Sequence, residues 1–146
     1  MVKLPPPIWG LIYLLALGGL SWALGWPVGL RAWPLGAALA VLGAALALWG
    51  RLLFAREGTE IRPDSAVNSK LVISGPFAFT RNPMYLGLVA LSLGIALWVG
   101  AWPMFLAPVA VFATANWVHI PFEEAKMRRQ FGPQFEAYTS RVRRWL

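Results

Sequence analysis

Two short runs of polar residues border the apolar segments of this chain and could take part in chemistry. The first is Arg81-Asn82-Pro83, and the second contains His119 and the paired carboxylates Glu123 and Glu124. An arginine can bind a carboxylate or phosphate, a histidine can accept a proton, and a glutamate can bind a cation or act as a base. Ionisable groups are costly to place at a membrane boundary, so their position here indicates a functional site.

The spacing of the second run allows two interpretations. Asn116, His119 and Glu123 share one face if the helix is continuous, because they are three and four residues apart. Pro121 can instead open a new helix, and Glu123 and Glu124 would then lie in its first turn, where the helix dipole favours carboxylates. The purely structural interpretation makes the glutamates a helix start and His119 an interfacial polar residue.

The first run has the residue types of a helix start. Asn82 is suited to the N-cap position and Pro83 to the first helical position. Such an end presents free N–H groups that can bind a carboxylate or phosphate, and Arg81 would add a positive charge. The alternative is that Arg81 only extends towards lipid head groups.

The composition predicts an integral membrane protein with a single domain, residues 1–146. Hydrophobic residues make up 58% of the 146 residues and charged residues only 13%, whereas a soluble domain has about 25% charged residues. The net charge is +7. Because the basic residues flank apolar segments, we expect anionic membrane lipids as partners and no nucleic acid. The chain has no Cys and a single His, so we expect no metal site.

Four apolar segments predict an all-α fold with about four transmembrane helices and a C-terminal amphipathic helical segment. The last two segments are short and are joined by a tight turn at Gly100-Ala101, so they could cross the membrane or dip into it as a hairpin. We predict that they cross. The predicted spans are about 8–26, 33–54, 84–99 and 102–118, with a loop at 55–82 and a tail at 119–146.

Within the loop and the tail, two further features are predicted. A short strand is possible by composition at Lys70–Ser74. In the tail, apolar residues recur at helical spacing with basic residues between them, and Gly132-Pro133 should divide it into two short helices.

Basic residues predict the orientation. With four spans, every Lys and Arg except Arg31 falls on one side of the membrane. The positive-inside rule then places both termini in the cytoplasm, in an inner, cytoplasmic membrane.

Small residues recur on one face of the second segment, at Gly36, Ala40, Gly43, Ala47 and Gly50. Such a face lets two helix backbones approach closely in lipid, so we predict helix packing there. In the third segment Gly87 has two interpretations. It could pack in the same way as Gly94, or it could leave room for a ligand beside Arg81.

An ordered series of motifs resembles a known family. The series is Gly75-Pro76-Phe77, Arg81-Asn82-Pro83-Met84-Tyr85-Leu86-Gly87, Glu123-Glu124, and Phe131-Gly132-Pro133-Gln134-Phe135-Glu136-Ala137-Tyr138. It resembles the isoprenylcysteine carboxyl methyltransferase family, which is related to the membrane phospholipid methyltransferases. The resemblance covers about Ser74 to Arg144.

The resemblance implies a membrane-embedded methyltransferase that uses S-adenosylmethionine, with a cofactor pocket near the cytosolic face and a lipid-side entrance for the acceptor. In this interpretation Glu124 binds the amino group of the cofactor, and Arg81 with the helix start binds its carboxylate. Aromatic residues, among them Phe79 and Phe135, would enclose the adenine. The predicted cofactor-binding residues are Gly75, Phe77, Arg81, Asn82, Pro83, Tyr85, Leu86, Gly87, Glu124 and Tyr138.

Two departures from the family pattern bear on the acceptor. Asn82 stands where the motif has histidine, and His119 stands where the family often has arginine, four residues before the acid pair. His119 and Glu123 are the predicted catalytic residues. The acceptor could be a lipid amine, a thiol or a prenylcysteine-like carboxylate, and His119 favours an amine or thiol because histidine can accept a proton. The alternative is a non-catalytic membrane scaffold or small-molecule binder on the same fold.

Overall fold

A computed structural model describes residues 5–27, 29–57 and 70–146, and within these ranges the regular structure is helical. Two 3₁₀ helices, at Gly75–Ala78 and Trp102–Phe105, and a π-helical turn at Ala115–His119 accompany six α-helices. The α-helices are α1 (Pro6–Ala23), α2 (Trp33–Arg56), α3 (Pro83–Val99), α4 (Leu106–Thr114), α5 (Ile120–Phe131) and α6 (Pro133–Thr139). The all-α prediction is therefore confirmed.

Three helical stretches are long and apolar enough to cross a membrane. They are α1, α2 and the 30-residue path from Trp102 to Phe131. The apolar helix α3 has 17 residues, about 25 Å at the α-helical rise, which is somewhat less than a hydrocarbon core of about 30 Å. About four crossings fit this arrangement, and the long final path argues against a shallow hairpin.

The fourth segment differs from its predicted end at residue 118. The helical path continues through the π-turn into α5, with Pro121 in the first turn of α5. In a regular α-helix the ring of Pro121 would clash with the carbonyl four residues before it. The wider π-turn immediately before α5 relieves this conflict, so the predicted tail begins inside a continuous helical path.

Two other predictions concern short elements. Gly132-Pro133 divides the tail as expected, because Gly132 ends α5 with φ of 46° and Pro133 begins α6. The predicted strand at Lys70–Ser74 is wrong, because the described ranges contain no other strand with which these residues could pair. Part of the predicted loop, residues 58–69, lies outside the described residues, and so do Lys3 and Arg62 of the basic set.

The smooth face of α2 packs against α3, and the two helices run antiparallel. A Cβ added at Gly36 would lie 2.6 Å from the backbone nitrogen of Trp98, and one added at Gly87 would lie 2.5 Å from the carbonyl oxygen of Gly43. These neighbours are backbone atoms that cannot move aside, so the small residues permit this approach. The predicted packing face is confirmed, and Gly87 belongs to it.

The turn after α3 returns the chain to the membrane. Gly100 ends α3 in the left-handed region with φ of 75°, and Pro103 lies in the first turn of the next helical segment, as the sequence predicts. The carbonyl oxygen of Gly100 accepts a 2.6 Å hydrogen bond from Gly29 N–H. The turn therefore joins the α1–α2 connection at the end of the bundle opposite the polar residues.

Candidate active site

A cleft opens where the residues before α3, the start of α3, and helices α5 and α6 meet. It encloses about 610 Å³ of space, counted out to its solvent-open mouth. Polar and charged groups lie beside aromatic ones in its lining. The lining residues are Phe54, Lys70, Leu71, Val72, Phe77, Arg81, Asn82, Pro83, Met84, Tyr85, Glu123, Glu124, Met127, Phe135 and Tyr138.

Most of the predicted site residues meet at this cleft. Seven of the predicted cofactor residues line it together with Glu123: Phe77, Arg81, Asn82, Pro83, Tyr85, Glu124 and Tyr138. Gly75, Leu86, Gly87 and His119 are absent from its lining. Gly75 instead adopts φ of 59° beside Leu53 and Trp49 of α2. The cofactor-binding roles of Gly75, Leu86 and Gly87 stay predictions.

A cluster of three charged side chains lies at the cleft, and two of them, Arg81 and Glu124, line it. Arg81 Nη2 lies 3.1 Å from Glu124 Oε1. Arg144 approaches the same carboxylate with both Nε, at 3.2 Å from Oε1, and Nη2, at 2.7 Å from Oε2. The Glu124 side chain is only 8% exposed. Two guanidinium groups and one carboxylate leave this cluster with one excess positive charge.

Arg81 retains unused capacity to bind an anion. Its Nε is buried and has no hydrogen-bond partner within the described part of the chain. An unpartnered buried N–H is costly, and this one belongs to a cleft-lining residue with excess positive charge beside it. The arrangement can hold a carboxylate against Arg81 and a cationic amino group against Glu124.

The start of α3 is bound by the segment that follows α6, residues 140–146, which we call the strap. The Arg144 carbonyl oxygen accepts hydrogen bonds from Asn82 Nδ2 at 2.9 Å and from Thr80 Oγ1 at 3.2 Å, and Arg143 accepts one from Arg81 N–H at 3.0 Å. Asn82 occupies the N-cap position and Pro83 begins the helix, but the Asn82 side chain makes no capping bond. The predicted N-cap position of Asn82 is therefore confirmed, but its side-chain amide binds the strap instead of capping the helix.

Aromatic residues also line the cleft. Tyr138 donates a 2.7 Å hydrogen bond to the Phe77 carbonyl oxygen. Burial raises the pKa of Tyr138 to about 12 although Arg81 lowers it, so the hydroxyl stays protonated and keeps this bond. Phe77 and Phe135 are both buried and line the cleft, whereas Phe79 is 75% exposed and lies outside its lining. An adenine-stacking role for Phe79 therefore has no support here.

Tyr85 joins the cleft to a second cavity. Its hydroxyl donates a 2.7 Å hydrogen bond to Glu123 Oε1, and its ring stacks on His119 with centroids 6.0 Å apart. His119 is 1% exposed, and neither ring nitrogen has a partner in the described ranges. The second cavity encloses about 210 Å³ of space, counted out to its solvent-open mouth, and is lined by Pro6, Trp9, Gly10, Tyr85, Leu88, Val111, Thr114, Ala115 and His119.

The three polar residues that a continuous α-helix would align have different surroundings, and a π-turn at Ala115–His119 lies among them. Glu123 lines the cleft, His119 lines the second cavity, and Asn116 Oδ1 accepts a 3.1 Å hydrogen bond from Trp145 Nε1. A π-turn inserts extra residues into the helical repeat and changes which side chains share a face. Such turns occur frequently at functional sites.

Sequence reasoning did not identify Arg144 and Trp145 as site residues. Arg144 completes the charged cluster, and Trp145 packs on the buried group of Tyr85, Ala115 and Ile120. The resemblance extends to Arg144, but its pairing with Glu124 joins residues 20 positions apart through the fold. No local pattern in the sequence distinguishes Arg144 from the other arginines of the tail.

Two comparisons relate this chain to known proteins. A family model described as phospholipid methyltransferase matches residues 32–134. An uncharacterized protein of Haemophilus influenzae is 33% identical over 63 residues, which is 43% of this chain and all of that protein. No solved structure gives a significant match.

Proposed function

The chain belongs to the phospholipid methyltransferase family and is a membrane methyltransferase, and on this premise we propose that it methylates a lipophilic acceptor with S-adenosylmethionine. The observation that carries the proposal is the Arg81–Glu124–Arg144 cluster at an aromatic-lined cleft. When bound, this cofactor supplies a methyl group activated on a sulfonium cation.

The residues of the cleft fit the parts of the cofactor. Arg81 would bind the carboxylate of its amino-acid head group, using the buried Nε that has no partner in the described chain. Glu124 would accept a hydrogen bond from the amino group. The rings of Phe77, Tyr85 and Phe135, which line the same cleft, would pack against the adenine.

Catalysis at this site would depend mainly on alignment and on exclusion of water. Methyl transfer is an in-line displacement, so holding the two reactants in line supplies much of the rate acceleration. Tyr85 is buried between the cleft and the second cavity and would help to exclude water from the reacting groups.

The acceptor side of the proposal rests on His119 and Glu123. His119 is buried at the second cavity with both ring nitrogens available, so it can accept a proton from an amine or thiol. Glu123 lies on the cleft side of Tyr85 and can orient Tyr85 or receive a proton. A prenylcysteine-like carboxylate would instead need a fixed positive partner, and His119 stands where the family often has that arginine.

The apolar helices support a location in a membrane. The distribution of basic residues indicates on which side of the membrane the site lies. We infer that the protein lies in the inner membrane with both termini cytoplasmic. Exposed Arg128 and Arg129 of α5 and Arg141 and Arg143 after it would then contact anionic lipid head groups.

A non-catalytic membrane binder remains the second candidate. Two observations favour it: Asn82 replaces the motif histidine, and Tyr85 separates His119 from the cleft. Such a protein would bind the cofactor in the cleft without transferring its methyl group.

Radiolabelled S-adenosylmethionine tests the proposal. Purified protein is incubated with it and a membrane extract, and label is measured in the lipid-soluble products. We expect the parent to transfer label and Glu124→Gln to lose transfer. Arg128→Gln should transfer label like the parent, because Arg128 pairs with Glu136 on the exposed surface. Cofactor binding without label transfer would favour the binder, and neither binding nor transfer would contradict the proposal.

A further inference from the structure

The strap is held in place by groups that do not involve the Arg144 side chain. The backbone carbonyls of Arg143 and Arg144 accept hydrogen bonds from residues 80–82. The Trp145 indole donates to Asn116 Oδ1 at 3.1 Å and lies against Phe112 with ring centroids 4.8 Å apart. The Arg144 guanidinium is therefore not required to hold the strap, and it reaches into the cluster at Glu124.

The hydrogen bonds at Glu124 fix the orientation of its carboxylate. A carboxylate has about four acceptor positions. Oε1 accepts from Arg144 Nε and lies 3.1 Å from Arg81 Nη2 in an ion pair, and Oε2 accepts from Arg144 Nη2. Within the described chain, this leaves an acceptor position on Oε2. The two-point contact with Arg144 holds the plane of the carboxylate, as paired N–H bonds from arginine do.

Arg144 also sets the charge of the cluster. Arg81 and Glu124 alone would neutralise each other, and Arg81 would have little excess charge with which to attract an anion. With Arg144 present, the cluster has an excess positive charge together with an open acceptor. It then offers a donor, Arg81 Nε, and an acceptor, Glu124 Oε2, to a group that has both a carboxylate and an ammonium.

We propose that Arg144 is a positioning residue for the amino-acid head group of the bound cofactor, an inference that rests on the proposed function. Its guanidinium holds Glu124 for the ammonium and leaves Arg81 for the carboxylate. The Arg144 side chain is 35% exposed, whereas Glu124 is 8% exposed. Arg144 is therefore the most exposed member of the cluster, since the Arg81 side chain is 14% exposed.

Two ligands that differ only in the head group test this role. S-adenosylhomocysteine carries the amino acid, and 5′-methylthioadenosine has the adenosine and thioether without it. Affinities of both are measured by calorimetry for the parent, Arg144→Gln and Arg143→Gln. Arg143 is the matched control because its side chain is exposed in the same strap and its substitution removes the same charge.

For Arg144→Gln we expect the affinity for S-adenosylhomocysteine to fall roughly tenfold or more, because charge-assisted hydrogen bonds orient the head-group site. The affinity for 5′-methylthioadenosine and the melting temperature of the ligand-free protein should stay near those of the parent. Arg143→Gln should bind both ligands like the parent. This pattern separates positioning from a general effect on folding.

Three results would overturn the inference. One is an equal loss of affinity for both ligands together with a lowered melting temperature, which would show that Arg144 has a structural role. Another is an unchanged affinity for S-adenosylhomocysteine in Arg144→Gln while Arg81→Ala loses it, which would leave the proposed function standing. The third is a parent protein that binds neither ligand, which would remove the proposed function as well.

Discussion

The Tyr85 hydroxyl donates a 2.7 Å hydrogen bond to Glu123, and the same ring stacks on His119. Tyr85 therefore contacts both predicted catalytic residues, and it lines both the cleft and the second cavity. The methyl donor proposed for the cleft and an acceptor near His119 would meet at this residue. Its ring and its hydroxyl have separable roles.

Tyr85→Phe isolates the hydroxyl. The ring should keep its stacking on His119, but Glu123 loses its hydrogen bond and is free to change orientation. We expect turnover to fall by about tenfold, in line with the loss of one hydrogen bond to a charged group. The affinity for S-adenosylhomocysteine should change by much less. Kinetics and calorimetry on the same preparation measure the two quantities, and a loss confined to binding would contradict the role given to this bond.

His119→Ala tests the acceptor side. Because His119 lies outside the lining of the cleft, its removal should lower turnover while leaving cofactor affinity close to that of the parent. A contribution of about 100-fold or more is typical of a general base. His119→Arg should not improve methylation of an amine or thiol. Full turnover in His119→Ala, or efficient methylation of a prenylcysteine carboxylate by the parent, would show that the assignment is wrong.

Gly87→Ala tests the packing of α2 against α3. Its Cβ would lie 2.5 Å from the Gly43 carbonyl oxygen, so the helices must separate, at a cost of about 1–3 kcal/mol. We expect a lower melting temperature in detergent. Gly19→Ala in α1 is the control, because a Cβ there meets nothing within 4 Å. A normal melting temperature with lost cofactor affinity would instead support the ligand-contact interpretation of Gly87.

Sidedness can be measured with single cysteines, since the chain has none. Arg31→Cys and Ser140→Cys should be labelled by an impermeant reagent from opposite sides of the membrane. The basic-residue asymmetry predicts that position 140 is cytoplasmic. Labelling of both positions from the same side would contradict the four-span topology.

Local patterns were sufficient to predict much of the fold. The small face of α2 at Gly36 and Gly43, the turn at Gly100, and the break at Gly132 each depend on residues close together in the sequence. Backbone conformation at a glycine and the spacing of small residues on a helix are local properties. For this reason the sequence predicted these elements correctly.

The predictions that differ from the structure depend on distant contacts. The π-turn at Ala115–His119 accommodates Pro121, and no helical spacing rule anticipates that Glu123 lines the cleft whereas His119 lines the second cavity. Asn82 is a residue type that favours the N-cap position, but its side-chain amide donates a hydrogen bond to the Arg144 carbonyl oxygen, 62 residues away. In the sequence, Arg144 resembles every other arginine of the tail. Only the folded strap places it beside Glu124.

The affinity of the purified protein for S-adenosylhomocysteine, measured by calorimetry, tests the central claim most directly. The claim is that the cleft at Arg81 and Glu124 holds the cofactor. The parent and Arg128→Ala, whose arginine pairs with Glu136 on the exposed surface, should bind alike. Arg81→Ala and Glu124→Ala should each lose about 1.5–3 kcal/mol, the worth of a charge-assisted hydrogen bond. If both variants bind like the parent, the cofactor site lies elsewhere.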